Sequence, residues 1–199
     1  MKTRIDIYTA EIPQNIPLST LYPPAREEEI SACKNEKVRR EKYCVWKLLE
    51  YAVERSLGKK LNGARFTKTP SGKWQSPLCE FSLSHSKNAV AVAISTQPVG
   101  VDIEIFRPEK LQGLAEKFLT PPEFAVYENT ERKAEYLFEK WTQKESIFKR
   151  LGDCAVPAFR IDSENFSTLT REIEIAGERY FLSVSAEDIQ TIRFHETQL

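Results

Sequence analysis

Apolar and polar positions change rhythm several times along this chain. The opening stretch RIDIYTAEI alternates, which predicts a strand, and NIPLSTLYPPAREEE then supplies turn residues and an acid-rich helix start. Val45, Leu48, Leu49, Ala52, Val53 and Leu57 recur at helical spacing, so a long helix is expected to end at Gly58. The segment NGARFTKTPSGKWQSPLCE carries three turn signals and no period. Strand rhythm returns in FSLS, AVAVAIS and VGVDIEI, separated by HSKN and TQP, and these are expected to be neighbouring antiparallel strands. LQGLAEKFL and TPPEFAVYENT predict shorter helices, the second with Thr120 as N-cap and Pro121 at its first position. A second long helix is expected over about 131–151, and AFRID, REIEIA, RYFLSVSA and QTIRFHE predict closing strands with AGE as a hairpin turn. Each half thus pairs a long helix with a set of strands, which favours an α+β fold. No letter-level repeat links the halves.

The length of 199 residues allows one sizeable domain or two small halves packed together, and 41% hydrophobic with 29% charged residues is ordinary for a folded protein. The longest apolar run, 89–94, is far short of the ~20 residues a membrane span needs, and MKTRIDIYTAEIP places acids where a signal peptide would be apolar. A cytoplasmic protein is expected. Cys33, Cys44, Cys79 and Cys154 form no CxxC pair and have no His at metal-ligand spacing, so they read as reduced packing residues. The net charge of zero hides a split: 16 basic against 10 acidic residues through position 100, then 13 against 19. Between Lys34 and Lys73 twelve Lys or Arg face only four acids, which is either enough to attract a polyanion or a solvated helix face.

Candidate chemistry starts in VGVDIE. At ~3.3 Å per residue, Asp102 and Glu104 share one face of a strand and Val101, Ile103 and Ile105 the other. Two acids so placed are the wet face of an edge strand or half of a divalent-metal site. In ERKAEYLFEKWTQKESIFKRLG, Ala134, Leu137, Phe138, Trp141 and Phe148 make an apolar stripe with Glu145 near its centre. A carboxylate facing the core needs a metal, a cation or a proton. Lys149 lies one turn on, close enough to share its site, although an ordinary helical ion pair is the plain alternative. His85, expected just after a strand in SLSHS, has Ser84 and Ser86 beside it, a combination able to receive a phosphate, though a lone His is more often structural. His195 has no such company.

Taken in order, GK at Gly72 and Lys73, FSLSHS at 81–86, QPVGVDIE at 97–104 and WTQKESIFKRLG at 141–152 resemble the 4′-phosphopantetheinyl transferases. The similarity is to the monomeric, surfactin-synthetase-activating type and runs from about Arg26 to Leu151. It implies two similar α+β halves in a pseudo-twofold arrangement, each a long helix on a small, mostly antiparallel sheet. Residues 1–100 would form a basic half holding the phosphates of coenzyme A and attracting acidic carrier domains. Residues 101–199 would carry the metal and the catalytic acids, with the active site in the cleft between. The implied reaction moves the 4′-phosphopantetheine arm of coenzyme A to a serine of an acyl or peptidyl carrier protein, releasing adenosine 3′,5′-bisphosphate.

By the same resemblance, Asp102, Glu104 and Glu145 match three acids around Mg²⁺. Glu145 matches a general base, its pKa raised by burial and lowered by the metal. Lys149 matches the lysine at the phosphates and leaving group. Ser84 and His85 match residues holding coenzyme A phosphates, and Lys73 one near the adenosine 3′-phosphate. Arg40 aligns with a basic residue of the same pocket, a role open equally to Arg39. A monomer with neither nucleic-acid nor membrane partners is implied. Ser82 stands where the family commonly has Asn, and Trp74 where Pro follows GK, departures that bear on the adenine pocket's shape. A non-catalytic coenzyme A or carrier binder of the same fold, and another Mg²⁺-dependent phosphoryl-transfer or pyrophosphate-cleaving enzyme with a small nucleotide substrate, are the alternative readings.

Overall fold

The computed structural model describes residues 4–16, 19–62, 64–111, 113–152 and 156–199; Cys154 lies outside them. Strand β1 (Ile5–Glu11) leads through α1 (Pro24–Ser31) into the long helix α2 (Glu36–Leu57). Asn35 caps α2 by accepting from the Val38 amide at 3.1 Å, and Gly58, at φ 64°, ends it in the left-handed region where glycine carries no Cβ penalty. Two short strands, β2 (Thr67–Lys68) and β3 (Trp74–Gln75), occupy the stretch that has no period in the sequence. Then follow β4 (Glu80–Ser86), β5 (Ala89–Ser95) and β6 (Val99–Ile105).

Helices α3 (Leu114–Phe118), α4 (Pro121–Asn129) and α5 (Lys133–Leu151) precede the closing hairpin of β7 (Thr168–Ile175) and β8 (Glu178–Ala186). Its two turn residues, Ala176 and Gly177, both have positive φ, as a tight hairpin of right-handed twist requires. Strand β9 (Ile192–Thr197) completes the chain.

The α+β class expected from the sequence is present. A four-stranded sheet runs β4-β5-β1-β9, and a three-stranded one runs β6-β8-β7. The AVAVAI rhythm explains how they stack: Val90, Val92 and Ile94 pack toward α2, while Ala89, Ala91 and Ala93 meet Val99, Val101, Ile103 and Val184 of the other sheet. Helix α5 covers the outer face of that second sheet, so the layers run α2, sheet, sheet, α5.

Three sequence expectations need correction. Strand β6 does not join β4 and β5 in one sheet but pairs antiparallel with β8, because its apolar side chains bury by stacking face-on against the alanines of β5. AFRID is not a strand: Ala158–Arg160 make a single 3-10 turn, with the Arg160 amide bonded to the Pro157 carbonyl at 2.9 Å. And β9 returns to the first sheet, parallel to β1.

Candidate active site

The two sheets meet along a seam of hydroxyls. On β4, Phe81 and Leu83 point toward α2, so Ser82, Ser84 and Ser86 take the opposite face. Their Oγ atoms accept from the amides of Val101, Ile103 and Ile105 at 3.0, 3.2 and 3.1 Å. Strand β6 bonds to β8 along its other edge, so these serines satisfy amides that would otherwise be buried without partners. The same hydroxyls donate to the acids: Ser84 to Asp102 Oδ1 at 2.8 Å and Ser86 to Glu104 Oε2 at 2.7 Å.

Across the seam lies α5, pressed onto the β6 backbone. A Cβ on Gly100 would sit 1.8 Å from the Ser146 carbonyl oxygen, so only glycine admits this approach. Lys149 is thereby delivered to the acids. Its Nζ donates to Asp102 Oδ1 at 2.6 Å and to Ser84 Oγ at 2.9 Å. Asp102 is 4% exposed and its other oxygen, Oδ2, is buried without a hydrogen-bond partner. Burial and the charge of Asp102 push the Glu104 carboxyl up to about 7, against the Ser86 hydrogen bond and the cations Lys149 and Arg107. The same two causes, opposed by Lys149, raise Glu145.

The α5 stripe corrects the reading of its face. Ala134, Trp141 and Phe148 are half-buried, while Thr142, Gln143, Lys144 and Ser146 are buried. The sheet beneath is polar at these contacts: Thr142 Oγ1 meets Ser183 Oγ at 2.7 Å, and Gln143 donates to Thr170 at 3.2 Å. Glu145 therefore lies at the open margin of the packed face, not at its centre. Among the described residues no three His, Cys, Asp or Glu side chains are arranged as a metal cage. The ammonium of Lys149 is Asp102's ionic partner.

His85 lies within β4 rather than after it, and strand alternation turns it away from Ser84 toward α2. Its Nδ1 is 3.5 Å from Glu41 Oε2. Burial, together with Lys149, Arg26 and Lys42, depresses its pKa to about 4 against the pull of Asp102. Lys73 reaches across to the end of α5, donating from Nζ to the Lys149 carbonyl at 2.7 Å. A cavity of about 310 Å³ opens there, lined by Lys73, Trp74, Ser82, Phe148, Lys149 and Gly152. Arg40 is not brought to it: Nη1 donates to the Gln14 carbonyl at 3.1 Å, in a separate recess with Glu11 and Asn88.

Two clusters were not read from the sequence. Lys144, fully buried, pairs with Glu123 of α4 at 2.6 Å and donates to the Phe118 carbonyl at 2.8 Å, tying the α3–α4 segment to α5. Helical geometry placed Lys144 on the packed face, but only if polar residues were allowed there. Beside the cavity, Glu29 of α1 collects Arg26, Lys42, Lys68 and the Trp74 indole. In sequence Glu29 is one of three consecutive glutamates and looks like a solvated helix start.

Residues 98–197 match the 4′-phosphopantetheinyl transferase superfamily. Among curated relatives, 4′-phosphopantetheinyl transferase psf-1 of Bacillus pumilus is 38% identical over 80 residues, covering 39% of this chain and 34% of the relative. 4′-Phosphopantetheinyl transferase Sfp of Bacillus subtilis strain 168 is 32% identical over 78 residues, 38% of this chain and 34% of that one. The corresponding gsp protein of Aneurinibacillus migulanus is 33% identical over 94 residues, covering 45% and 39%. The matched stretch thus spans little more than a third of each relative's length.

Proposed function

Because this chain belongs to the 4′-phosphopantetheinyl transferase superfamily, we propose that it transfers the 4′-phosphopantetheine group of coenzyme A to a serine hydroxyl of a carrier protein. Adenosine 3′,5′-bisphosphate is the released product. The observation that carries this reading is Lys149 Nζ, held at 2.6 Å from Asp102 beside a cavity that also presents Lys73. A lysine steadied by one carboxylate and one serine is poised to donate to a phosphate oxygen as negative charge gathers on the leaving group.

Although Asp102, Glu104 and Glu145 do not stand as a cage among the described residues, their oxygen-donor chemistry suits a hard divalent cation. Asp102 offers a buried oxygen without a partner, and burial together with the charge of Asp102 raises both Glu104 and Glu145, so a cation among the three would offset that burial and that repulsion. Asp102, Glu104 and Glu145 would hold Mg²⁺, which when bound supplies charge neutralisation at the pyrophosphate. Ser84 and Ser86 fix the first two carboxylates from behind. Glu145 would be the base that takes the proton from the carrier serine, its pKa pushed up by burial and by Asp102 and drawn down by Lys149 and by a bound cation. As the serine oxygen bonds to phosphorus, the phosphorus–oxygen bond to adenosine bisphosphate breaks, and Lys149 Nζ donates to the departing phosphate.

His85, Lys73 and the basic α2 side supply the phosphate contacts; Arg40, in its own recess, is not given that role. We read the two halves, 1–100 and 101–199, as a pseudo-twofold pair, with their division falling within β6 and β9 lent to the first sheet. We place the protein as a cytoplasmic monomer; no helix among the described residues is long and apolar enough to cross a membrane. Incubation with coenzyme A, Mg²⁺ and an apo carrier protein, followed by intact-mass measurement of the carrier, tests the reading. A gain of one phosphopantetheine arm that disappears in Glu145→Gln is expected. Coenzyme A binding with no gain on any carrier would overturn it in favour of a binding protein.

A further inference from the structure

Four donors converge on the Glu29 carboxylate. Arg26 Nη1 and Lys42 Nζ lie 3.0 and 3.4 Å from Oε1; Lys68 Nζ and Trp74 Nε1 lie 2.9 and 3.2 Å from Oε2. Burial raises this carboxyl, but the contacts with Lys68, Arg26 and Trp74 outweigh it and bring it to about 2. The donors are themselves built in. Arg26 is 4% exposed, its guanidinium lies 4.8 Å from the centre of the Trp46 ring, and its Nε is buried without a hydrogen-bond partner. Lys68 sits 5.4 Å from the Trp74 ring centre. The cluster borders the proposed site, since Trp74 lines its cavity and both Arg26 and Lys42 act on His85.

Three cations and an indole N–H aimed at one point make a receptor for a tetrahedral dianion such as a phosphate monoester. In this chain the point is taken by a carboxylate of its own. A ligand monoester can reach the same donors only by displacing Glu29 or by sharing them, and in either case part of its binding energy offsets the contacts that Glu29 gives up. Coenzyme A carries one such monoester, on the ribose 3′ position; its pyrophosphate is a diester.

Resting on the reading of coenzyme A as co-substrate, we infer that Glu29 sets specificity at this site by acting as an internal counter-anion. It thereby makes the chain nearly indifferent to the 3′-phosphate, so that coenzyme A and 3′-dephospho-coenzyme A bind alike. The transfer itself is unchanged, because the bond broken lies at the pyrophosphate; with the dephospho compound the leaving group is AMP.

The test is titration calorimetry of both nucleotides, at low and at moderate salt, on the wild-type protein and Glu29→Gln, with KM for each measured alongside. Wild-type affinities within about five-fold of each other are expected, whereas Glu29→Gln tightens coenzyme A by about ten-fold, leaves the dephospho compound unchanged, and steepens the salt dependence for coenzyme A alone. Glu29→Thr serves the same comparison if the glutamine variant does not fold. A wild type that already prefers coenzyme A by a hundred-fold overturns the inference. So does a substitution that weakens both nucleotides equally, which would make Glu29 a support for the cations, or one that leaves both untouched. Failure of both nucleotides to bind the folded wild type would overturn the functional reading itself, and is distinguishable from all of these.

Discussion

Helices α2 and α5 occupy equivalent outer layers, yet they are anchored by different physics. The buried side of α2 is Tyr43, Cys44, Val45, Trp46, Leu48, Leu49, Ala52 and Val53, with Glu41 at its edge toward His85. It sits on a cushion of side chains from β1, β4 and β5. Helix α5 instead buries Thr142, Gln143, Lys144 and Ser146 beside Leu137, Phe138 and Ile147, and it touches the β6 backbone itself at Gly100. Apolar packing tolerates small displacements and repacking, whereas a helix fixed by hydrogen bonds, a buried ion pair and backbone contact keeps its side chains in one geometry. The helix placed in the second way is the one that presents Glu145 and Lys149.

The sharpest way to break that contrast is Gly100→Val. The Ser146 carbonyl and the Arg150 amide are backbone atoms that cannot rotate aside, and the added Cβ would meet them at 1.8 and 2.7 Å. Helix α5 must lift from β6, parting Lys149 from Asp102. Loss of cooperative unfolding, or of soluble protein altogether, is expected, while the same change at Gly177, which has nothing within 4 Å, strains only its positive φ and is far milder. Equal thermal stabilities for the two variants would show that the close approach is not what seats α5.

The second test sets one residue of each helix side by side. Lys144→Met keeps the length of the side chain but strands Glu123, 4% exposed, without its cation, and a loss of about 3–5 kcal/mol is expected. Leu49→Ala in α2 should cost about 2–5 kcal/mol through a cavity. Their difference lies in rescue. Replacing Glu123 by Leu as well should restore much of the α5 loss, because the penalty is an unpaired charge, while no partner change repairs α2. Denaturant midpoints of the wild type and these three variants decide it; absence of rescue would mean that the loss lies in Lys144's carbonyl contacts at Phe118 and Phe159, or in the hydrogen bonds Glu123 accepts from Thr120 and Ser163, rather than in an unpaired charge.

These differences mark what could be read from letters alone. Helix α2 was legible because its burial is apolar and apolar periodicity is what a sequence shows. The limits of α5 were legible too, but its face only in part: Leu137 and Phe138 are buried as the apolar stripe implies, Trp141 and Phe148 are half-buried, and much of the packed side is written in Lys, Gln, Thr and Ser, which periodicity treats as solvent. The acids of β6 and the residues of FSLSHS were found as motifs, and their alternation correctly put Asp102 and Glu104 on one face. Strand partners were not legible, since the pairing of β9 with β1 joins residues nearly two hundred positions apart. Glu29 stayed hidden because its four partners come from α1, α2, β2 and β3, which only tertiary structure assembles.

The smallest expected effect concerns His85, where the two helices' charges meet. Glu41 and Lys42 approach it from α2, Arg26 from α1 and Lys149 from α5, with Asp102 on β6. Its pKa of about 4 lies below the ordinary 6.5, so between these values the unfolded chain binds a proton that the folded one refuses. Stability carried by His85 is therefore intact above pH 6.5 and is lost as pH falls toward 4. The carboxyls of Glu41, Glu104 and Glu145 have the opposite sign, being raised in the folded state and so favouring it on acidification. The whole-protein profile mixes both, and the useful quantity is the difference between wild type and His85→Gln. Denaturant unfolding at pH 7, 6, 5 and 4.5 should show the wild type losing stability relative to the variant at each acid step. If only the α2 neighbours set this shift, Lys149→Met leaves the difference unchanged; if α5 contributes as its position indicates, that substitution shrinks it.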